Sequence, residues 1–156
     1  MPLTAIVLAA GEGTRMKSHH PKIVHKLLDK PLVWWSVNAA ITAGADRVIV
    51  VVGNHADEVK SALSCFPNLE YVAQTERLGT GHAVKVVKDA LGGFKGPVVV
   101  INGDASLLRA QSILDLVAET KAHHNACTVL TMTPPDPTGY GRVISSNGQV
   151  TAIVEH

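Results

Sequence analysis

The chain has 156 residues, 46% of them hydrophobic and 17% charged, with 14 Lys and Arg against 13 Asp and Glu for a formal net charge of +1. Length and apolar content exclude a mainly disordered chain and suit one globular domain, because a chain of this size buries roughly 68 to 70% of the surface its unfolded form exposes. The near balance of charge excludes a bulk field for nucleic acid or an anionic membrane, so an anion site has to be a local concentration of positive groups.

In chain order, Thr4 to Leu8 reads as a strand, and Pro31 suits the first turn of a helix through Val33, Val37 and Ile41, with Gly44 just past its end. Arg47 to Val52 is a second strand, Asp57 to Ser64 a short helix and Leu69 to Ala73 a third strand. Thr80 is placed to cap a helix whose apolar face is Ala83, Val86, Val87 and Ala90. Pro97 to Ile101 follows as a strand, then a helix marked by Ile113, Leu114, Val117 and Ala118, then a strand at Cys127 to Thr133. Pro134-Pro135-Asp136-Pro137 is linker-like, and Arg142 to Glu155 reads as a hairpin turning at Asn147-Gly148.

Strands alternating with helices predict an α/β fold, a Rossmann-like and mostly parallel sheet flanked by helices. Residues 48 to 52 and 98 to 101 are apolar at every position, which predicts burial on both faces. No apolar run approaches the roughly 18 to 20 residues that cross a bilayer, and no basic leader precedes Ala5 to Ala10, so neither an anchor nor a signal peptide is expected. Cys65 and Cys127 are too few for a disulfide framework and fit no metal spacing, which points to the cytoplasm. The sequence stops at His156 directly after a strand pattern and reads as a domain truncated on its C-terminal side.

In an open parallel sheet, ligands bind beyond the carboxyl ends of the strands. Three polar, glycine-bearing segments come after the expected strands: Ala9 to Lys17, Gln74 with Leu78-Gly79-Thr80-Gly81-His82, and Asn102-Gly103-Asp104. In the first, Gly11 and Gly13 let backbone approach an anion, and Arg15 and Lys22 add positive charge, the makings of a phosphate cradle. It is not a Walker loop, since no Gly-Lys-Ser/Thr closes it, nor a dinucleotide fingerprint, since Met16 stands at the third glycine. An ordinary turn with solvated basic residues fits the same spacing. Gly79-Thr80-Gly81 opens a helix whose free amides face the same edge, although plain capping by Thr80 is the favoured reading before the other segments are considered. Asp104 sits where a carboxylate holds a hard divalent cation, or caps the next helix. The pairs His19-His20 and His123-His124 read as solvated surface, and Trp34 and Trp35 as packing against the sheet. Ser18, Ser106 and Cys65 have no base at readable spacing and are not expected to act as nucleophiles.

Taken together, Leu8-Ala9-Ala10-Gly11-Glu12-Gly13-Thr14-Arg15-Met16 with Pro21-Lys22 resembles the signature of sugar-nucleotide pyrophosphorylases. Pro21 to His25, Gln74 with Leu78 to Ala83, Asp136 to Arg142 and Val154-Glu155-His156 narrow the resemblance. They are similar to the N-terminal half of the bacterial bifunctional N-acetylglucosamine-1-phosphate uridylyltransferase/glucosamine-1-phosphate N-acetyltransferase family. The resemblance implies a nucleotide-diphospho-sugar transferase fold. It also implies a Mg²⁺-dependent reaction of UTP with N-acetylglucosamine 1-phosphate that yields pyrophosphate and UDP-N-acetylglucosamine, a cell-wall precursor. By the same resemblance, Leu8, Ala9, Ala10, Gly11 and Gly13 surround the nucleotide, and Arg15 and Lys22 are catalytic on its phosphates. Gln74, Gly79 and Thr80 read uracil, Asp104 binds the metal, and Gly141 and Glu155 belong to the sugar site. Gln74 is expected to offer the base both an amide donor and a carbonyl acceptor.

Ser106 departs from the family, which usually has proline after the Gly-Asp pair. The family's domain continues past position 156 with further sugar contacts and a second metal ligand, and its acetyltransferase β-helix lies beyond that. The expectation is therefore a partial pyrophosphorylase domain over residues 1–156, of reduced or no activity alone, from a parent that oligomerises through the missing domain. Two alternatives stay open: another sugar-1-phosphate nucleotidyltransferase, against which Gly139 to Arg142 and Val154 to His156 argue, and a non-catalytic nucleotide-binding module.

Overall fold

Strands that are apolar on both sides have to be sandwiched, and the arrangement of layers meets that requirement. The computed structural model describes residues 2–11, 13, 16, 18–76, 78–147 and 149–155. They fall into two compact units, residues 1–118 and 119–156. The first unit runs β1 (Thr4–Ala9), a 3₁₀ turn (Lys22–Val24), β2 (Lys26–Leu27), β3 (Lys30–Pro31), α1 (Leu32–Thr42), β4 (Arg47–Val52) and α2 (Ala56–Ala62). It continues through β5 (Glu70–Ala73), α3 (Thr80–Lys85), α4 (Lys88–Leu91) and β6 (Val98–Asn102) into α5 (Ala110–Ala122), which reaches the second unit.

Four strands form a parallel sheet in the order β5-β4-β1-β6, with Ile6 opposite Ile49 on one side and Val100 on the other. Side chains of a strand alternate between faces, so the apolar runs divide into two cores. Ala5, Val7, Val48 and Val50 pack with Val33 and Val37 of α1, Val59 of α2 and Ile113 of α5. Ile6, Ile49 and Val51 face the other way, against Ala83 and Val87. Complete burial of each such aliphatic side chain stabilises the fold by about 1.5–3 kcal/mol.

Burial on both faces holds for β4 but not for β6, where Val98 and Val100 are 39% and 45% exposed while Val99 and Ile101 are buried. The reason is position: among the described residues β6 is one of the two edge strands, and the second apolar cluster stops short of it. The helix expected over residues 80 to 90 is two short ones. Val87 N bonds to Val84 O, one residue tighter than an α-helical ladder, and the break falls there. Pro31 lies at the N-cap of α1 rather than inside it, and Gly44, at φ 80°, ends the helix region as expected. Ile41 and Leu114, expected on buried faces, are 40% and 43% exposed. Trp34 stacks edge-on with Trp35 at 5.0 Å and lies 5.5 Å from Phe66, while Trp35 Nε1 donates to Leu27 O. The pair therefore packs toward α1's neighbouring loops, with only Trp34 joining the main core.

In the second unit, β7 (Arg142–Ser146) and β8 (Gln149–Val154) pair antiparallel with a register shift at Ile144/Ser145. Asn147 takes φ 51° at the expected turn, and Gly148 lies outside the described residues. Residues 127–133 are not a strand, and Val129, Leu130 and Met132 are 49–65% exposed. A strand forms only where a neighbour takes its backbone hydrogen bonds. Among the described residues no segment pairs with these. Cys65 and Cys127 are free and exposed. Among the described residues no helix is long and apolar enough to cross a membrane.

The packing sets the stability effect of two substitutions. Thr4 is fully buried and its Oγ1 has no partner among the described residues. A buried polar atom without a hydrogen bond costs about 1–3 kcal/mol, so Thr4→Val should raise the unfolding free energy by about 1–2 kcal/mol in urea titrations. Arg47 donates twice to Glu70, Nε to Oε1 and a terminal nitrogen to Oε2, both at 2.8 Å, and once to Ala90 O at 2.9 Å. Chiefly through those side-chain bonds, Arg47 holds the Glu70 carboxyl below its ordinary value of 4.5. A carboxyl lowered in the folded state contributes stability above its unfolded value and loses it as pH falls through the folded one. Glu70 is 43% exposed, so Glu70→Gln should cost no more than about 1 kcal/mol at pH 7. The gap between wild type and variant should close below pH 4.5 in acid unfolding followed by circular dichroism.

Candidate functional site

The parallel ladder continues past its strands. Gly103 N donates to Leu8 O at 2.9 Å and Gln74 N to Val52 O at 2.8 Å, so the segments after β6 and β5 stay beside the ends of β1 and β4. Backbone packs directly on backbone here. A Cβ at Gly103 would stand 2.7 Å from Leu8 O, and one at Gly53 would stand 2.9 Å from Ala10 O. Such contacts leave no room for side chains, and beside them the sheet edge opens into a cavity of about 620 Å³.

Its lining brings together the three glycine-bearing segments. Leu8, Ala10, Gly11 and Gly13 come from the end of β1 and its loop, and Lys22 and Ile23 from the 3₁₀ turn. Gln74, Gly79, Thr80 and Ala83 line one side, and Asn102, Gly103 and Asp104 another. Ala9, expected at the nucleotide, is instead buried in the core at 4% exposure and does not line the cavity. Arg15 lies outside the described residues.

Gly13 takes φ 64°, and a Cβ there would overlap Lys22 Cβ and stand 3.2 Å from Lys22 N. The loop therefore doubles back onto the residue that carries the charge. Ile23 anchors the turn in the core, and Lys22 Nζ donates to Asp104 Oδ2 at 2.8 Å, both side chains about 40% exposed. Ser106 N donates to Asp104 O at 2.8 Å, a bond that a proline at 106 would lack. Asp104 is the sole acidic group in the described lining. Among the described residues no cluster of three or more His, Cys, Asp or Glu is arranged to hold a metal.

Gly79, at φ 88°, stands at the N-cap of α3, so Thr80 is the first helical residue and does not cap it. Gln74 is 7% exposed, and its Nε2 lies 3.2 Å from Gly79 O and 3.1 Å from His82 Nδ1. This corrects the expectation that Gln74 offers a ligand both a donor and an acceptor, because the protein already engages its amide nitrogen.

Gly141 and Glu155 lie in the second unit and meet within the hairpin, where a Cβ at Gly141 would be 3.5 Å from Glu155 Oε2. His20 is exposed as expected but not idle. Its Nδ1 lies 2.7 Å from Glu58 Oε2, and His55 Nδ1 lies 2.8 Å from the other oxygen. Hydrogen bonds from His20 first, then His55, lower the Glu58 carboxyl. This tie joins the loop before Lys22 to α2. His55, at the N-cap of α2, reaches Glu58 three residues on, whereas the contact of His20 with Glu58 across 38 residues left no trace in the sequence.

The nucleotidyl transferase family model matches residues 4–156. "Bifunctional protein GlmU" of Picosynechococcus sp. is 48% identical over 151 residues, which is 96% of this chain and 34% of that protein. The chain thus spans about a third of the length of this curated relative. Among solved structures, a putative glucose-1-phosphate thymidylyltransferase from Bacillus anthracis in complex with a sucrose superposes with a TM-score of 0.81 at 22% identity. That match covers 98% of this chain and 64% of the other. Rv0371c of Mycobacterium tuberculosis, solved with manganese, superposes at 0.65 and 20% identity over 78% of this chain and 61% of its own. These likenesses show a shared fold, and with the family match over nearly its whole length the chain belongs to the nucleotidyl transferase family.

Proposed function

We propose that the chain is part of a pyrophosphorylase domain that transfers a uridylyl group from UTP to N-acetylglucosamine 1-phosphate, giving UDP-N-acetylglucosamine and pyrophosphate. The observation that carries the reading is one cavity in which two glycine-rich backbone segments flank the Lys22–Asp104 pair. Its volume is within the range of small-molecule sites, about 300–1,000 Å³. Identity of 48% to a bifunctional GlmU protein supports the same reading.

In the reaction, an oxygen of the sugar phosphate bonds to the α-phosphorus of UTP, and the bond from that phosphorus to the β-bridging oxygen breaks. Pyrophosphate leaves with the electron pair. No protein nucleophile is needed, and the described lining contains no Ser, Cys or His. Positive charge and fixed geometry supply the acceleration. Lys22 and Arg15 meet phosphate oxygens, the latter from the loop whose Gly11 and Gly13 admit close backbone approach. Leu8 and Ala10 flank the nucleoside, and Gln74, Gly79 and Thr80 take the base. Gly141 and Glu155 serve the sugar.

Asp104 offers a hard carboxylate oxygen that already faces a cation, Lys22 Nζ, and it would hold Mg²⁺. When bound, Mg²⁺ supplies further positive charge at the phosphates. We assign the protein to the cytoplasm, where its two free cysteines persist as thiols, and the longer protein to a homo-oligomer built through its acetyltransferase part.

Calorimetry with UTP tests the reading, beside a pyrophosphate-release assay, and a chain that binds no UTP would refute it. Lys22→Ala should weaken UTP binding about ten- to a hundredfold, the loss of one charge-assisted contact of about 1.5–3 kcal/mol, and Arg15→Ala should do likewise. Asp104→Asn should leave metal-free UTP binding intact or tighter, since Lys22 is released, while abolishing any gain in affinity on adding Mg²⁺. A full Mg²⁺ gain in Asp104→Asn would move the metal site elsewhere.

A further inference from the structure

The groups available to a base are Gln74 and the Gly79 turn, and their role in selecting it rests on the proposed binding of a nucleotide in this cavity. The Gly79 carbonyl can only accept, which fixes the nearer atom of the Gln74 amide as nitrogen. A flipped amide would set two oxygens against each other. The second N–H of that nitrogen meets His82 Nδ1, which accepts only while the ring proton sits on Nε2. Both donors of Gln74 are then spent inside the protein. What this buried, cavity-lining side chain has left for a ligand is Oε1, and no donor among the described residues engages it.

We propose that His82 is a positioning residue for base selection: with Gly79 O it holds the Gln74 amide as an acceptor-only group, which favours a pyrimidine carrying an N3–H over one whose N3 is a lone pair. Uracil presents that N3–H, whereas cytosine sets its N3 lone pair against Oε1. A buried site that mismatches polar groups in this way rejects the wrong base more strongly than a misfit in shape does. A donor placed at position 82 acts in reverse. It competes with the amide nitrogen for space and draws Oε1 toward itself, and Nε2 then faces the base. Thymine carries the same N3–H, so the device separates cytosine from uracil and leaves uracil and thymine alike.

The test is the ratio of UTP to CTP affinity, by calorimetry, in wild type and in His82→Asn, His82→Leu and His82→Lys. Wild type should favour UTP by at least about tenfold, the effect of one mismatched buried group. His82→Asn keeps an acceptor near the place of Nδ1 and should retain the ratio. His82→Lys offers only donors and should bring it to about one or below, and His82→Leu should lie between. Affinity for inorganic triphosphate should stay the same in all four, which separates base selection from a general loss of the site. Nitrogen NMR of the His82 ring in the wild-type chain is independent of any variant's folding and should show an unprotonated Nδ1. A protonated Nδ1 at neutral pH overturns the proposal, as does a ratio indifferent to His82→Lys in a folded chain, or one that Asn and Lys lower equally. A chain that binds neither nucleotide sinks the nucleotide reading and this proposal with it. A chain that binds UTP with a ratio blind to residue 82 sinks the proposal alone.

Discussion

The parallel ladder that holds β1 between β4 and β6 is the constraint on which the site depends. Parallel strands finish at one edge, so the loops that leave them meet one another there. In this chain the ladder's own hydrogen bonds run on into the loops, from Gly103 to Leu8 and from Gln74 to Val52. Those bonds place Asp104 and Gln74 with backbone accuracy, and the 2.7 Å that a Cβ at Gly103 would find to Leu8 O shows why glycine stands there. A one-residue slip of β1 would turn every side chain to the opposite layer and would carry Leu8 away from Gly103, so register and site are set together.

Charge is arranged locally on a nearly neutral chain. Lys22 and Asp104, both lining the cavity, pair with each other, each about 40% exposed. A pair so exposed adds little to stability, of order 0–1 kcal/mol, so separating the two groups costs little. The turn that carries Lys22 is held more firmly than its charge: Ile23 is buried in the core, and the loop just before it is tied to α2 through His20 and Glu58. The arrangement separates a turn anchored in the core from side chains exposed at its end. Gln74 is the opposite case, a buried amide whose partners are all internal, suited to reading a ligand rather than responding to it.

Residues 119–156 obey a different logic. The hairpin of β7 and β8 is stabilised by its own ladder and turn, and it brings Gly141 beside Glu155 without help from the sheet. The segment before it, 127–133, has strand composition and no strand. Composition makes a segment competent to pair, but only a partner's backbone groups make it a strand.

Much of this was legible in the sequence because it depends on local pattern. All-apolar β-branched runs mark buried parallel strands, glycines and polar residues after them mark the functional edge, and Asn147-Gly148 marks a hairpin turn. Lys22, Asp104, Gln74 and Gly79 could be named as candidates for the same reason, since a parallel sheet delivers strand ends to one place. Other features depended on distance in space. The half-exposed face of β6 came from its place at the rim, and the burial of Ala9 from the side of the strand on which it falls. The contact between Gln74 and His82 was hidden because the motif shows a histidine near a glutamine, while only the folded turn shows which nitrogen meets which. Hydrogen-bond direction is a property of two groups at a given separation and angle, and tertiary structure alone supplies both.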